Sequence, residues 1–295
     1  MKRILSLDGG GAKGPMQLSA LAVLEQATGK KTHELFDLIV GTSVGAINGS
    51  MLSMGQYSAS ELLTVMKVEL PKVFKKQYFK KSKYSKVPLE QAFVNLFGPS
   101  TCLGEAKTKL VITSYEDTEG RMHFFKSWED KDSTMSLFEA VDRSSSAPLF
   151  FGPTVDKIDA RVWLDGGVGI FNNPSLYAYE EVRRLGWPED KTTCISLGCG
   201  NKSHARTFLE ASTDKKFGQI LNYIDPIDGG LARRSASQEL CSFLSNRPWD
   251  FYRINAIISE KMDKMDQVKY FDKYVLKGHV LSLELVDAYD KSLDK

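Results

Sequence analysis

A serine set between two glycines is the first feature of this 295-residue sequence that could do chemistry. Ser43 lies in the segment GTSVG at residues 41–45, which matches the GxSxG pattern of a nucleophile elbow. In such an elbow a strand turns sharply into a helix, and the two glycines remove side chains that would collide there. The helix N-terminus also faces negative charge that develops beside the serine. The pattern predicts that Ser43 is a nucleophile, and a Gly/Ser turn required only for packing is the alternative.

A run of three glycines near the N-terminus could supply the matching anion site. Gly9, Gly10 and Gly11 follow Asp8, and their N–H groups can converge on an anion in front of a helix, as an oxyanion hole requires. The segment GGGAKG at 9–14 also satisfies the GxGxxG pattern of a dinucleotide site. That site needs an acidic residue after the second strand, where this sequence has the serine turn, and Pro15 argues against a P-loop. We therefore favour oxyanion donors.

A group that activates Ser43 is the next requirement. The chain has four histidines, none in a context that favours the base of a Ser-His-Asp triad over a surface position: His33, His123, His204 and His279. Asp165 is followed by two glycines, which leave its carboxylate unshielded. It could accept the serine proton if poor solvation raises its basicity. The residues alone do not separate this role from that of an aspartate capping a turn.

Short strands must position these groups. Apolar strands are predicted at 3–7, 36–40, 162–164 and 193–197, and each ends in glycine-containing sequence. Helices are predicted at 12–28, from the elbow to about residue 54, and at 137–143, a strand pair at 109–115 and 122–126, and an extended segment at 251–255. Repeated strand–turn–helix units predict an α/β fold with a mainly parallel sheet in one domain spanning 1–295. Ligands bind at the carboxyl ends of such strands, so the glycine run, Ser43 and Asp165 should meet there.

The composition sets further bounds. A net charge of +2 gives no global field for nucleic acid, and 42% hydrophobic residues is typical of a globular protein. We expect neither a signal peptide nor a membrane span. The four cysteines form no CxxC pair, and we interpret them as reduced thiols of a cytoplasmic protein. No cluster has metal-ligand spacing, so no metal or cofactor is expected.

Three motifs, taken in order, resemble those of patatin-like phospholipases: DGGGAKG at 8–14, GTSVG at 41–45 and DGG at 165–167. The segments at 145–148, 172–174, 196–200 and 252–255 are also similar, so the likeness covers residues 3–260. It implies a three-layer α/β/α fold, Ser43 as nucleophile, Asp165 as base and N–H groups around the glycine run as oxyanion donors. Lys13 departs from the family, which usually has arginine there. That change is harmless if the oxyanion donors all belong to the backbone.

The resemblance implies a phospholipase A-type or lysophospholipase activity, in which an acyl-enzyme forms on the serine and water then releases the fatty acid. The alternative is a non-catalytic lipid- or nucleotide-binding protein on the same fold. Some compact bacterial members of the family are nucleotide-activated effectors that degrade the host membrane in phage defence. The segment 201–250 could hold a site for such a cyclic nucleotide, with these cations: Arg206, Lys215, Lys216, Arg233 and Arg234.

The segment 67–86 holds eight lysines with aromatic residues between them. It suits docking on an anionic membrane surface, which would place the protein at the inner membrane as a peripheral protein. The lysines assigned to this contact are Lys75, Lys76, Lys80 and Lys81. A solvated lysine-rich helix or a contact with a partner explains the same composition equally well.

Overall fold

The structure, a computed structural model, describes residues 1–78, 82–168, 171–202 and 239–293. Its strands are β1 (Lys2–Leu7), β2 (Leu38–Thr42), β3 (Lys109–Glu116), β4 (Arg121–Lys126), β5 (Thr154–Asp156), β6 (Arg161–Asp165), β7 (Thr192–Leu197), β8 (Asn201–Lys202), β9 (Asp250–Ile254) and β10 (Ile257–Ile258). Its helices are α1 (Pro15–Thr28), α2 (Thr32–Leu35), α3 (Val44–Ser53), α4 (Ala59–Val73), α5 (Val87–Phe97), α6 (Asp130–Ser133), α7 (Leu137–Ser144), α8 (Ser175–Arg184), α9 (Glu260–Asp263) and α10 (Phe271–Lys291). Residues 239–245 are also helical.

The central sheet has a parallel core with antiparallel strands at one side. Strands β3, β2, β1, β7 and β9 lie side by side and run in the same direction. Strands β4 and β6 pair antiparallel with β3, and β5 pairs antiparallel with β6. Strands β8 and β10 form a separate parallel pair. The prediction of a mainly parallel sheet is confirmed.

Side chains alternate between the two faces of the sheet, and each face is covered. Leu5 and Leu7 of β1 pack in the larger core, with α1, α3, α4, α7 and α10. Ile4 of the same strand packs on the opposite face with residues of α8 and with Trp249. Helices on both faces of one sheet give the three-layer α/β/α architecture that the family resemblance implied.

Strand β3 has three neighbours because two of them share one edge. Strand β4 pairs with β3 along 111–116, so it occupies one edge over that whole length. Strand β2 pairs with β3 along 109–113 and β6 pairs with it along 114–116. Strands β2 and β6 must therefore follow one another on the other edge. As a result the end of β2, opposite Thr113, meets the end of β6, opposite Ser114.

This arrangement corrects the expectation that Asp165 ends a parallel strand. Strand β6 runs antiparallel to β3. Its last residue still reaches the carboxyl edge of the parallel strands, because β3 extends three residues beyond its pairing with β2 and β6 runs back along that extension. A periodic apolar pattern marks a strand but carries no information about its direction.

Candidate active site

Ser43 lies at the sharp turn between β2 and α3, with φ 54° and ψ −121°. Residues other than glycine rarely adopt a positive φ, and such strain is often found at functional sites. A Cβ added to Gly45 would lie 2.2 Å from the carbonyl oxygen of Leu7, and one added to Gly41 would lie 2.4 Å from that of Gly45. The two glycines of the motif are therefore required by the close approach of backbone.

The glycine run lies directly beside Ser43. A Cβ added to Gly9 would come 3.2 Å from the Cβ of Ser43. The N–H of Gly9 donates to the carbonyl oxygen of Asn172 at 3.0 Å. For the N–H groups of Gly10 and Gly11, no acceptor is found among the residues that the structure describes. Within the described part of the chain, the N–H of Gly9 is therefore already bonded, whereas those of Gly10 and Gly11 are not.

Asp165 is buried at the end of β6 and is held through its backbone and its side chain. Its N–H donates to the carbonyl oxygen of Ser146 at 3.1 Å, and its Oδ1 accepts the N–H of Gly167 at 2.7 Å. It lines the same cavity as Ser43, Gly9 and Gly10. The structure therefore brings together the three groups that the sequence analysis selected from distant parts of the chain.

Asp8, the residue before the glycine run, is fixed by an arginine that the sequence analysis did not select. Both guanidinium nitrogens of Arg253 on β9 reach it, with Nη1–Oδ1 at 2.8 Å and Nη2–Oδ2 at 2.5 Å. Burial alone would lower the pKa of Arg253, but the carboxylate of Asp8 raises it, so we treat the pair as ionised. A carboxylate buried between a strand and a glycine run needs a cationic partner. This requirement was the signal in the sequence that could have prompted a search for an arginine such as Arg253.

Lys13 is buried and anchors the other end of the glycine run. Its Nζ lies 3.1 Å from both the Oδ1 and the carbonyl oxygen of Asp263 and 3.4 Å from the carbonyl oxygen of Gly200. These acceptors surround a point charge and need no planar fork. The lysine found where the family usually has arginine therefore suits this site.

Ser43 stands where two cavities of different character meet. The first contains Asp165, Asp8, Lys13, Gly9 and Gly10 and is the more polar of the two, whereas Gly11 lines the second. The second is almost entirely apolar and lies between α3, α4, α5 and the segment 145–151. Its apolar lining residues are Val44, Ile47, Met51, Val65, Met66, Leu70, Val73, Phe74, Leu89, Ala92, Phe93, Leu96, Ala147, Phe150, Phe151 and Met265. Ser43, Ala147 and Met265 line both cavities.

Other groups with possible catalytic chemistry are placed unfavourably. Burial lowers the pKa of His123 to about 4, and its ring packs on Phe125 and Trp163. His33 packs against Gly55, and His279 is exposed on α10. His204 lies outside the described residues. Burial raises the pKa of Cys199, which lines the polar cavity, to about 12, so its thiol stays protonated at neutral pH.

The basic segment at 67–86 is less free than its composition suggests. Lys67, Lys72, Lys83 and Lys86 form ion pairs with acidic side chains of the chain itself. The aromatic residues Phe74 and Tyr84 pack inward, against each other and against Phe151. Lys75 and Lys76 are exposed, whereas Lys80 and Lys81 lie outside the described residues.

The proposed nucleotide contacts also fall outside the part of the chain that can be described; they are Arg206, Lys215, Lys216, Arg233 and Arg234. No helix among the described residues is long and apolar enough to span a membrane. Nor do the described residues contain a group of three His, Cys, Asp or Glu side chains arranged to hold a metal.

The fold and this cavity are typical of hydrolases that carry a nucleophilic serine on a strand-to-helix elbow. The family model of patatin-like phospholipases matches residues 5–179, which is more than half of the sequence. The chain therefore belongs to the patatin-like phospholipase family, as the motif resemblance predicted.

Curated relatives carry related names. A cGAMP-activated phospholipase of Vibrio cholerae is 29% identical over 223 residues, which is 66% of this chain and 62% of that protein. A protein of the same name from Escherichia coli is 30% identical over 201 residues, covering 62% of this chain and 56% of that protein. An 85/88 kDa calcium-independent phospholipase A2 of Rattus norvegicus is 28% identical over 222 residues, 68% of this chain and 25% of its own length. The matches thus span about three fifths of the cGAMP-activated relatives.

Among solved structures, that of VipD from Legionella pneumophila has the same fold. Its TM-score is 0.57 at 13% sequence identity, and the match covers 98% of this chain and 67% of that chain. At this level of identity the likeness supports the architecture alone.

Proposed function

We propose that this chain is a lipid acyl hydrolase that cleaves fatty-acyl esters of phospholipids, with Ser43 as nucleophile and Asp165 as base. One observation carries the proposal: Ser43 lies at the junction of a polar cavity that holds a carboxylate and amide donors and an apolar cavity suited to a hydrocarbon chain. An ester of a fatty acid has this division, because its reacting carbonyl is polar and its acyl chain is not. Phospholipases among the relatives support the same substrate class.

In the proposed reaction, Asp165 takes the proton of Ser43 as its Oγ attacks the ester carbonyl. The carbonyl oxygen becomes an oxyanion, and the N–H groups of Gly10 and Gly11 stabilise it. The intermediate collapses to an acyl-enzyme, and the lysolipid alcohol leaves with the proton from Asp165. Water then attacks the acyl-enzyme with the same carboxylate as base, which releases the fatty acid and restores Ser43.

The proposed roles are tested by Ser43→Ala and Asp165→Asn, each of which should lower phospholipid hydrolysis by at least about a thousandfold with the fold intact. A fluorophosphonate probe should label Ser43 in the wild type. Suitable controls are Ser50→Ala, a buried serine on the same helix, and Asp37→Asn, at the opposite end of the sheet. Full activity in folded Asp165→Asn would refute the dyad. An unlabelled Ser43 would favour the non-catalytic lipid- or nucleotide-binding alternative.

The apolar cavity should determine which acyl chains react. Ala92 on α5 lines this cavity and is nearly buried, whereas Val94 on the same helix is exposed. Ala92→Trp should therefore lower kcat/KM for long-chain esters by about tenfold or more relative to short-chain esters, because the indole fills space that the chain needs. Val94→Trp is the matched control. An equal loss for both chain lengths in Ala92→Trp would show that the acyl chain binds elsewhere.

Membrane contact beside this cavity is a further part of the proposal. Lys75 and Lys76 directly follow Phe74, which lines the apolar cavity, and Tyr78 is exposed two residues further on. Leu149 is also exposed, and it precedes Phe150, another residue that lines this cavity. Reversal of charge at Lys75 and Lys76 should weaken binding to anionic vesicles, since each basic residue near the surface contributes about 1 kcal/mol. Hydrolysis of short soluble esters should not change. If vesicle binding is unaffected, the two lysines are merely solvated.

The names of three bacterial relatives favour regulation by a nucleotide. We propose cGAMP as an activator and a role as an antiphage effector of the kind that the family resemblance implied. Phospholipid hydrolysis by the full chain, assayed with and without cGAMP, tests this regulation. Equal rates in both assays would leave the hydrolase proposal intact and remove the activator.

A further inference from the structure

The nucleophile and the base are both hydrogen-bonded to one short segment of chain. We call residues 142–147 the bridging turn; it comprises the last residues of α7 and the irregular turn that follows. The Oγ of Ser144 accepts the N–H of Ser43 at 3.0 Å. Two residues later, the carbonyl oxygen of Ser146 accepts the N–H of Asp165 at 3.1 Å. The relative position of Ser43 and Asp165 therefore depends on the conformation of the bridging turn.

The bridging turn is held in turn by a lysine that lies about sixty residues before it in the sequence. The Nζ of Lys86 lies 2.5 Å from the Oγ of Ser146, 2.6 Å from the Oγ1 of Thr154 and 2.9 Å from the Oδ1 of Asp142. An ammonium has three donors; the two hydroxyl oxygens and the carbonyl oxygen of Asp142, at 3.4 Å, accept hydrogen bonds, and the Oδ1 of Asp142 completes an ion pair. The side chain of Lys86 is 20% exposed and that of Asp142 is 14% exposed, so water competes weakly for these bonds.

Lys86 also connects the turn to the apolar cavity. It immediately precedes α5, whose residues form a wall of the apolar cavity, and its own side chain lines that cavity. Its charge interacts with Asp165 as well as with Asp142. Burial lowers the pKa of Lys86, and the carboxylate of Asp142 opposes that effect. Lys86 thus contacts both the apolar cavity and the bridging turn, which is hydrogen-bonded to Ser43 and Asp165.

We propose that Lys86 is a positioning residue for the reaction. By holding Asp142, Ser146 and Thr154 together, its ammonium keeps the bridging turn in the conformation that sets Ser43 against Asp165. It does not touch the reacting atoms. This role rests on the proposed function of the same site.

The variant Lys86→Met tests the role, because methionine keeps most of the stem and removes every donor. We expect kcat for a short soluble ester to fall by about tenfold to a hundredfold, the range that follows from a small misplacement of reacting groups, with KM within twofold of the wild type. The matched control is Lys126→Met. Lys126 is more buried than Lys86, with 6% of its side chain exposed, and it pairs with Glu181 at 3.1 Å and Glu129 at 2.7 Å, on the face of the sheet that packs against α8.

Lys126→Met should lose thermal stability but retain kcat, as measured on the folded fraction. Thr154→Val removes one oxygen from the cluster and should lower kcat by a smaller factor. The Oγ1 of Thr154 also bonds directly to the Oγ of Ser146 at 2.7 Å and to the Oδ2 of Asp142 at 2.6 Å. If Thr154 and Lys86 act through this one cluster, the loss of kcat in the double variant should be smaller than the product of the two single losses, whereas independent effects would multiply.

Three results overturn the positioning role: kcat of Lys86→Met within twofold of the wild type, an equal loss of kcat in Lys126→Met, or multiplicative effects in the double variant. A wild type that is neither labelled at Ser43 nor active on any ester refutes the proposed function itself. If the wild type is labelled and active but Lys86→Met is unaffected, only the role of Lys86 is refuted.

Discussion

The two halves of the candidate site, one around Ser43 and one around Asp165, are built in different ways. On the nucleophile side, strand, turn and helix are contiguous, and five residues contain everything that the elbow needs. The positive φ of Ser43 and the contact between Gly41 and Gly45 lie within that short stretch, and Gly45 is also required by the close approach of Leu7 at the end of the neighbouring strand β1. On the base side, Asp165 ends an antiparallel strand that reaches Ser43 only because β2 and β6 share one edge of β3.

The support of each half differs accordingly. Asp165 depends on Ser146, on the packing of Trp163 in the same strand and, through the bridging turn, on Lys86. Apart from Trp163, which lies in the same strand, these residues are distant from Asp165 in the sequence. We conclude that the nucleophile side is sensitive to changes in its own motif, whereas the base side is sensitive to changes at distant positions. The following predictions test this contrast.

The largest effect is expected within the elbow. In Gly45→Ala, the new Cβ would lie 2.2 Å from the carbonyl oxygen of Leu7 and 2.7 Å from that of Asp8, and neither backbone atom can move cheaply. We expect a loss of more than about 3 kcal/mol in the free energy of unfolding, together with loss of fluorophosphonate labelling. Gly152→Ala is the control, because a Cβ there would meet no atom within 4 Å. Denaturant unfolding measures both, and a wild-type stability for Gly45→Ala would contradict the steric requirement for glycine in the elbow.

On the base side, acid should destabilise the packing around β6. Burial, reinforced by the nearby charges of Lys131, Arg121, Arg161 and Arg143, lowers the pKa of His123 to about 4. An unfolded histidine, with a pKa of about 6.5, takes up a proton first as the pH falls. The free energy of unfolding should therefore decrease from about pH 6.5 to pH 4, by about 2 kcal/mol after allowance for partial exposure.

The variant His123→Phe isolates this contribution, because it keeps an aromatic ring against Phe125 and Trp163 and has no titratable group. Its free energy of unfolding should vary less between pH 6.5 and pH 4 than that of the wild type. Replacement of His279, which is exposed on α10, by glutamine should leave the wild-type dependence unchanged. An unaltered pH dependence in His123→Phe would show that other groups are responsible.

The smallest effect is expected where the two halves meet. Ser144→Ala removes the acceptor of the Ser43 N–H and leaves that donor buried without a partner, which costs about 1–3 kcal/mol. We expect labelling of Ser43 and kcat to fall by about tenfold, with a modest loss of stability. Ser53→Ala, at the far end of α3, removes a hydroxyl that donates only to its own helix and should change neither rate. Unchanged kinetics in Ser144→Ala would show that the elbow maintains itself without the bridging turn.

The same contrast explains how much of the site was predictable from sequence. The sequence selected Ser43, Gly9, Gly10 and Asp165, which share one cavity in the fold, because each is marked by a short motif beside an apolar strand. Arg253, Asp263 and Lys86 were not selected as parts of the site. Arg253 lies in a segment that the sequence predicts as an ordinary strand, and Lys86 lies in one that it predicts as a basic surface. Neither context marks a single charged residue as part of the site. Only the fold shows that their partners are Asp8 and the bridging turn.

The limits of sequence periodicity appear in β6 and in the segment at 67–86. The apolar pattern of residues 162–164 predicts a strand correctly but does not give its direction, because strands running either way alternate their side chains in the same manner. The lysines of 67–86 look alike in sequence. Four of them have acidic partners within the fold, while Lys75 and Lys76 are exposed.

The sequence was enough to recognise the family from its three motifs, and the three-layer order followed from that resemblance. The strand–turn–helix pattern predicted the mainly parallel sheet and the GxSxG pattern predicted the serine turn, because both features depend on short stretches of chain. The tertiary structure decided how a carboxylate from an antiparallel strand comes to lie beside that serine, and which buried charges hold it there. Such contacts join residues tens to hundreds of positions apart. Their geometry depends on strand direction and on the edge that each strand occupies, and short motifs encode neither.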